Sequence, residues 1–320
     1  RPEYIKFKPL MEEMRGVIPF KTLFTSQHEH LVDSETDYTA HIRDGRNRLD
    51  SIVSSIMNSI DFHEEGITHV MVQGDTATSF AAALSAFHHK IPVIHLEAGM
   101  RTYDTENPYP EEFYRQCISK IATLHFTPSS YEVGYLNQEK AKGEIHDVGN
   151  TVLDNLVGVT SSYNNTVLVT LHRRENHKHM DKYFNVISKL AKENKDLEFV
   201  IPIHPNPNVK KHEGLLEGVN VIEPLPYEEM ISAISKCRFI ISDSGGIQEE
   251  ASFFKKKVIV CRERTERVAT VGTSSFMCHN PEELERLFYQ IKDDYIVEKE
   301  CPYGNGTTSK QIVEILKCVI

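Results

Sequence analysis

Short apolar runs alternate with amphipathic segments along most of the chain. The runs predict strands at residues 20–25, 68–72, 91–95, 125–127, 166–170, 198–203, 219–223, 239–242 and 258–261. Apolar positions three and four residues apart predict helices at residues 1–16, 49–60, 79–88, 180–191, 227–235 and 247–254, one that begins near Glu111, and a last one from Thr308. This alternation predicts an α/β fold with two Rossmann-like doubly wound domains that face a central crevice.

Residues 239–254, FIISDSGGIQEEASFF, predict a strand, a tight turn and a helix. Gly245 and Gly246 are expected to let the backbone turn sharply before the helix starts. The first N–H groups of that helix and the Ser244 hydroxyl suit a bound phosphate, and Glu250 suits a ribose hydroxyl about one turn on. The alternative is a plain connection with an aspartate or serine N-cap, which glycines alone do not exclude.

Carboxylates follow two successive predicted strands. Asp75 comes after the strand at 68–72 and Glu97 after the next, so both are expected at the edge where doubly wound sheets bind ligands. Asp75 as a simple N-cap is an equally good interpretation of its position alone. Glu111 and Glu112 begin a later helix, with Arg115 on the following turn, and at least one of these acids only favours the helix start.

Basic residues follow strands in the second half. His172, Arg173 and Arg174 come one residue after the strand at 166–170, and His204 lies at the tip of the next strand. Because the protein is acidic overall, a basic triplet at a strand end favours contact with an anion, and a structural ion-pair network is the alternative.

The first helix carries two further cations. A strand is expected to precede it outside this numbering, which would place Arg1 at a strand-to-helix turn and Lys6 about one turn later. For an isolated lysine, a plain surface charge is the better interpretation.

Composition narrows the possible functions. The length of 320 residues favours two domains, and 40% hydrophobic with 26% charged residues is typical of globular proteins. The net charge of −10 argues against nucleic acid or an anionic membrane surface as a partner. The six cysteines form no CxxC pair, which predicts reduced thiols in the cytosol, and the sixteen histidines include no HExxH motif, so no metal is expected.

Ten short motifs follow one another along the chain. They are RPEYIK, QGDTATS, HLEAGMRT, YPEEFYRQ, GNTVLDN, HRREN, HPNPNV, SDSGGIQEEA, RERTER and PYGNG. In this order they resemble the non-hydrolysing UDP-N-acetylglucosamine 2-epimerases, and the resemblance runs from Arg1 to the final helix. It implies a glycosyltransferase-B-like pair of domains in a homodimer that uses neither metal nor cofactor. The first domain is expected over 1–150 and the second over 151–305, and the resemblance implies that 306–320 returns to the first.

The chain departs from the family pattern in a few places. RPEY and HLEAGMRT side with the epimerases rather than with hydrolysing relatives, but the polar stretch after Ser26 is short and Val268 replaces a usual proline. Some relatives bind a second nucleotide sugar near residues such as Gln27 and His28, and the short stretch does not decide whether this chain has that site. Relatives that act on UDP-N-acetylfucosamine-type sugars share the motifs, so the motifs do not decide which sugar is the substrate.

The resemblance also implies a mechanism. The C2 hydrogen of a 2-acetamido sugar is not next to a carbonyl, so UDP would leave first, and loss of the C2 proton would give a 2-acetamidoglucal. Re-addition of UDP and a proton at the other C2 face would complete the inversion, while domain closure excludes water. By motif, catalysis is expected from Asp75, Glu97, Glu111 and His172, and substrate binding from Arg1, Lys6, Arg115, His204, Ser244, Gly245, Gly246, Glu250 and Arg262.

Within that set, Asp75 and Glu111 are expected to transfer protons, while Glu97 and His172 position the sugar and the leaving group. The product would supply cell-surface polysaccharide synthesis. Two rival classes share the phosphate turn: a glycosyltransferase, which needs an acceptor groove, and a nucleotide-sugar sensor, which needs none of the acids. Three acids together with the basic strand end favour the epimerase.

Overall fold

A computed structural model describes residues 2–25, 36–59, 61–63 and 65–320. The predictions for Arg1, Gln27 and His28 lie outside these residues. The chain forms two compact units. The first contains the residues up to Asn155 together with Tyr303–Ile320, and the second is Leu156–Pro302.

Helices and strands alternate in both units. Up to Asn155 the elements are α1 (Pro2–Met14), β1 (Leu23–Phe24), β2 (Tyr38–Thr39), α2 (Arg48–Met57), β3 (Val70–Gln73), α3 (Ala77–His88), β4 (Val93–Leu96), α4 (Glu111–Ile121), β5 (Leu124–Thr127), α5 (Ser130–Gln138) and β6 (Glu144–Asp147). The rest are β7 (Thr166–Thr170), α6 (Met180–Glu193), β8 (Glu198–Pro202), α7 (Pro207–Lys210), β9 (Asn220–Ile222), α8 (Tyr227–Lys236), β10 (Phe239–Ser242), α9 (Gly245–Phe253), β11 (Val258–Cys261), β12 (Ser275–Cys278), α10 (Pro281–Ile291) and α11 (Thr308–Val319).

Each unit is built on a parallel sheet. The first has the order β3-β4-β5-β6, beside a separate pair β1-β2. The second has the order β12-β11-β10-β7-β8-β9. Read from β9, this is the order of a dinucleotide-binding fold, in which the chain changes direction between the adjacent strands β7 and β10. The predicted α/β class of two Rossmann-like units is confirmed.

The sheet of the second unit is buried on both faces. Strands β7, β10 and β11 are buried along nearly their whole length, since helices lie on either side. Phe184 of α6 and Phe288 of α10 are both fully buried in the core that covers one of these faces. Burial of each such side chain contributes about 1.5–3 kcal/mol, so the strands are held rigidly and their carboxyl ends are fixed.

The last helix belongs to the first unit. Ile312 and Leu316 of α11 pack in one core with Leu10 and Met14 of α1. The Asp154 carboxylate accepts hydrogen bonds from the backbone N–H groups of Thr308 at 3.1 Å and Ser309 at 2.6 Å. The domain limits at residues 150 and 305 stay a prediction, because compactness does not test independent folding.

Some predicted elements differ from the structure. The strand expected at 20–25 is only Leu23–Phe24, and helix α9 begins two residues earlier than expected. Six elements were not predicted, namely β2, α5, β6, α7, β12 and α10. All six cysteines are free thiols. In the part of the chain that the structure describes, no helix is long and apolar enough to cross a membrane.

Candidate functional site

Glu97 is a predicted carboxylate with several partners. It directly follows β4, and its carboxylate pairs with Lys6 Nζ at 2.5 Å. Gln73 Nε2 donates to it at 2.6 Å and Asn150 Nδ2 at 3.2 Å. Its backbone has a φ of +58°, in the left-handed region that side chains other than glycine seldom adopt. Strain of this kind persists only when surrounding contacts impose it, and it concentrates at functional sites.

Asp75 is held by a buried arginine. Its carboxylate forms an ion pair with Arg115 of α4, whose guanidinium also lies 3.4 Å from Glu112 Oε2. Glu112 is fully buried and accepts hydrogen bonds from the backbone N–H groups of Thr102 and Tyr103 at 2.9 and 3.0 Å. The Asp75 side chain keeps about a quarter of its surface exposed, at 27%. The buried Arg115 guanidinium therefore positions the partly exposed carboxylate of Asp75.

Asp75 does not cap the helix that follows it. The N-cap of α3 is Thr76, whose hydroxyl accepts from Ser79 N at 3.2 Å. The N-cap interpretation of Asp75 is therefore wrong. Glu111 is the first residue of α4, four residues before Arg115, so the two share a helix face.

A buried histidine fixes the turn before Asp75. Gly74 has a φ of +66°, and its carbonyl lies 2.9 Å from His95 Nε2. Burial lowers the pKa of His95 to about 3, so the ring is neutral and donates this hydrogen bond from Nε2–H. A Cβ on Gly74 would lie 3.3 Å from Glu97 Oε2, which places the Glu97 carboxylate against the residue that precedes Asp75.

In the second unit, the predicted residues gather where β7 and β10 end. Ser244 is the N-cap residue of α9 by position, but its side chain makes no capping hydrogen bond. The adjacent Asp243 is fully buried and instead accepts from the backbone N–H groups of His172 at 3.0 Å and Arg173 at 2.8 Å. Among the residues that the structure describes, neither side chain caps the helix, so its first N–H groups suit a ligand.

The two glycines do not form the sharp turn that was predicted. Both lie in the first turn of α9, and neither has a positive φ. Gly245 is required for a different reason: a Cβ there would lie 2.9 Å from Arg267 Cζ and 3.1 Å from Glu266 Oε1. A Cβ on Gly246 would meet nothing within 4 Å. Close packing, rather than backbone freedom, explains why residue 245 is a glycine.

His172 and His204 lie face to face. Their ring centroids are 5.0 Å apart with an interplanar angle of 14°, so the loops after β7 and β8 meet here. Desolvation, and then the nearby His172, lower the pKa of His204. His204 Nδ1 accepts a hydrogen bond from Asn206 N at 3.1 Å.

The predicted ligand Arg262 lies in a network of buried charges. It is 1% exposed and donates to Glu175 at 3.1 Å and to Glu266 at 3.1 Å. Arg267 continues the network by pairing with Glu266 and, at 2.9 Å, with Glu249. These contacts hold the arginine-rich loop against the start of α9, and substrate binding by Arg262 stays a prediction.

Glu250 lies one turn into α9 and is only 7% exposed. Burial, and then the Glu250 carboxylate, raise the pKa of Tyr227. A tyrosine hydroxyl beside Glu250 is therefore a second polar group at the place predicted for a ribose.

The structure gathers most of the predicted residues into two groups. Lys6, Asp75, Glu97, Glu111 and Arg115 belong to the first unit, and His172, His204, Ser244, Gly245, Gly246 and Glu250 to the second. Sequence reasoning gave no role to Gln73, His95, Asn150 and Asn176, which position them, and considered Asp243 only as a helix N-cap. All five residues lie within the quoted motifs, which was the available signal. Among the described residues, no cluster of three or more His, Cys, Asp or Glu side chains is placed to hold a metal.

Two parallel sheets and the strand order of the second unit define a glycosyltransferase-B-like α/β protein. A family model described as UDP-N-acetylglucosamine 2-epimerase matches residues 20–317. The UDP-N-acetylglucosamine 2-epimerase of Salmonella borreze is 35% identical, with 98% of this chain and 95% of that protein covered. The chain belongs to the UDP-N-acetylglucosamine 2-epimerase family.

Solved structures agree with this membership. UDP-GlcNAc 2-epimerase from Neisseria meningitidis, in a crystal structure with UDP-GlcNAc bound, matches with a TM-score of 0.88 and 34% identity over 99% of this chain and 97% of that chain. The co-structure of MnaA and UDP from S. aureus matches with a TM-score of 0.86 and 30% identity over 99% and 94%.

Proposed function

We propose that this protein inverts C2 of UDP-N-acetylglucosamine to give UDP-N-acetylmannosamine. The observation that carries the proposal is the set of acids in the first unit. Glu97 and Asp75 follow adjacent parallel strands, each beside a cation, and Glu111 begins α4 on the face of Arg115. Epimerisation needs proton transfer at both faces of one carbon, and carboxylates at fixed positions supply acids and bases.

The reaction begins with departure of UDP from C1. As the C1–O bond breaks, C1 becomes oxocarbenium-like and the C2 hydrogen becomes acidic. A carboxylate then takes that proton to leave a 2-acetamidoglucal. UDP adds back to C1 while a proton is delivered to the opposite face of C2, so atoms and charges balance with no cofactor.

The second unit would stabilise the leaving diphosphate. The first N–H groups of α9, the Ser244 hydroxyl and the His172 ring all lie at the ends of β7 and β10, where the strand order reverses. In doubly wound folds this is the usual position of a bound nucleotide, and stabilising developing charge is usually the largest catalytic contribution. Glu250 and Tyr227 would contact the ribose.

The first unit would transfer the proton. The ion pair with Arg115 favours the charged form of Asp75, which accepts protons, and Glu111 is proposed as its counterpart at the other face. Lys6, Gln73 and Asn150 fix Glu97, which suits it to hold the sugar. We further propose that the protein is a homodimer and that its product supplies cell-surface polysaccharide.

The test is incubation of the wild-type protein with UDP-N-acetylglucosamine in heavy water, followed by NMR of the sugar. We expect deuterium at C2 in both epimers and a mixture of the gluco and manno configurations. A boiled sample is the control. Absence of label and of the manno epimer contradicts the proposal, and transfer of the sugar to an acceptor would indicate a glycosyltransferase. If UDP-N-acetylfucosamine-type sugars are turned over faster than UDP-N-acetylglucosamine, one of them is the substrate instead.

A further inference from the structure

One buried carboxylate joins the ends of three neighbouring strands. Asp243 follows β10, is fully buried, and its own N–H donates to Thr170 O of β7 at 3.2 Å. Its side chain accepts from His172 N and Arg173 N, directly after β7. Asn176 Nδ2 donates both to Asp243 Oδ2 at 3.0 Å and to Cys261 O, the last residue of β11, at 2.8 Å.

Such a carboxylate is costly to bury, and its contacts show what it holds. Removal of a charge from water is compensated only when N–H donors or cations replace the water. Here two backbone N–H groups and one side-chain amide do so, all from the segment that begins with His172. The carboxylate therefore fixes the backbone path of this segment.

The same contacts set the position of the His172 ring. His172 Nε2 lies 3.8 Å from Asp243 Oδ1, and the His172 ring stacks on the ring of His204. The residue after Asp243 is Ser244, where α9 begins. A single side chain thus sets the distance from His172 to the N–H groups that begin α9.

We propose that Asp243 is a positioning residue, whose buried carboxylate holds the segment from His172 to Asn176 so that the His172 ring meets the leaving diphosphate. This rests on the proposed function, in which His172 assists departure of UDP. The start of α9 is held independently, because Ser244 N donates to Ser242 Oγ at 2.9 Å and Gly245 packs on Arg267. Loss of the carboxylate should therefore disturb His172 while the nucleotide still binds.

The first experiment compares Asp243→Asn with a matched control, Asp154→Asn. Asp154 also accepts two backbone N–H bonds, but in the first unit at the start of α11. We expect Asp243→Asn to lower kcat by about 10- to 100-fold, since small misplacement of a reacting group costs that much, while the Kd for UDP stays within about threefold. Asp154→Asn should lower the melting temperature and leave kcat within about twofold. Equal kcat losses in both variants would overturn the proposal.

The second experiment is a double-mutant cycle with His172→Asn. Because Asp243 acts through His172, adding Asp243→Asn to His172→Asn should lower kcat by less than about twofold further. Multiplication of the two losses would overturn the positioning role, with the epimerase function intact. If the wild type makes no UDP-N-acetylmannosamine, the function and the positioning role both fall.

If the Asp243→Asn variant does not fold, Asn176→Ala provides the test instead. It removes one of the three donors to the carboxylate, so kcat should fall by several-fold in the wild-type background and not in the His172→Asn background. An equal fall in both backgrounds would overturn the proposal.

Discussion

At the scale of single residues, the partners of each candidate acid define its role. The sequence indicates that Asp75 and Glu97 end neighbouring strands, because strand ends follow from the apolar pattern. It does not indicate Lys6 or Asn150 as partners of Glu97, which lie 91 and 53 residues away along the chain. Side-chain pairs over such separations depend on the sheet register and on helix packing, so they emerged only from the structure.

Asp75→Asn tests the proposed base. The amide cannot accept the C2 proton, so deuterium exchange at C2 should slow by about 100- to 10,000-fold, the usual contribution of a general base. UDP should bind with nearly unchanged Kd in a calorimetric titration, since the nucleotide contacts are proposed in the second unit.

Glu139→Gln is the matched control for that variant. Glu139 also pairs with a buried arginine of the first unit, Arg101 Nε at 2.7 Å, and has no proposed catalytic role. We expect lower thermal stability with exchange within about twofold of wild type. Wild-type exchange in Asp75→Asn, or equal losses in both variants, would remove Asp75 from the proton-transfer step.

At the scale of elements, burial decides what the sequence reveals. Strands β7, β10 and β11 match the predicted limits because they are buried apolar runs in the middle of a sheet. Strands β6 and β12 were missed because each is a short edge strand of incomplete burial: EIHD is mostly polar, and SFMC has only three apolar residues in a row. Helix α10 was detectable in principle, since PEELERLFYQI has apolar residues at helical spacing.

The two glycines at the start of α9 allow a test of whether a glycine is required there for close packing or for backbone freedom. Gly245→Ala would press a methyl group against the Arg267 guanidinium and disturb its pairs with Glu249 and Glu266. We expect a loss of about 1–3 kcal/mol in the free energy of unfolding, measured by urea denaturation. Gly246→Ala, with open space and helical φ, should change it by no more than about 1 kcal/mol. The reverse order would show that Gly245 is kept for another reason.

At the scale of the whole molecule, the order of motifs and the βα rhythm were enough to predict two doubly wound units. They did not reveal which buried charges hold each unit together. Lys256 is an example in the second unit: it is fully buried, its ammonium donates to Ser162 O, and it lies 3.5 Å from the centre of the Tyr163 ring. The middle lysine of a run of three after α9 carries no sequence pattern that predicts its burial.

Lys256 makes stability depend on pH in the alkaline range. Burial lowers its pKa from 10.5 to about 8, so the folded state binds fewer protons than the unfolded state between those values. Stability from this group therefore rises as pH increases from about 8 to 10.5, and the cost of the buried charge is complete below pH 8.

Lys256→Met removes that contribution. The difference in unfolding free energy, wild type minus variant, should rise by about 1–3 kcal/mol between those pH values, because a tenfold change in an ionisation constant is about 1.4 kcal/mol. Urea denaturation of both proteins at each pH measures it, and other titrating groups cancel in the difference. A difference that is flat or falls with pH would mean that the ammonium is not buried at a cost.

Breakage of the bond between C1 and the diphosphate is the central claim, and isotope migration tests it most directly. UDP-N-acetylglucosamine labelled with heavy oxygen in that bond is incubated with the wild-type protein, and phosphorus NMR locates the label. If UDP leaves and returns, the label spreads to the non-bridging positions of the β-phosphate at a rate comparable to epimerisation. Accumulation of UDP-N-acetylmannosamine with the label still in the bridging position would contradict elimination and re-addition.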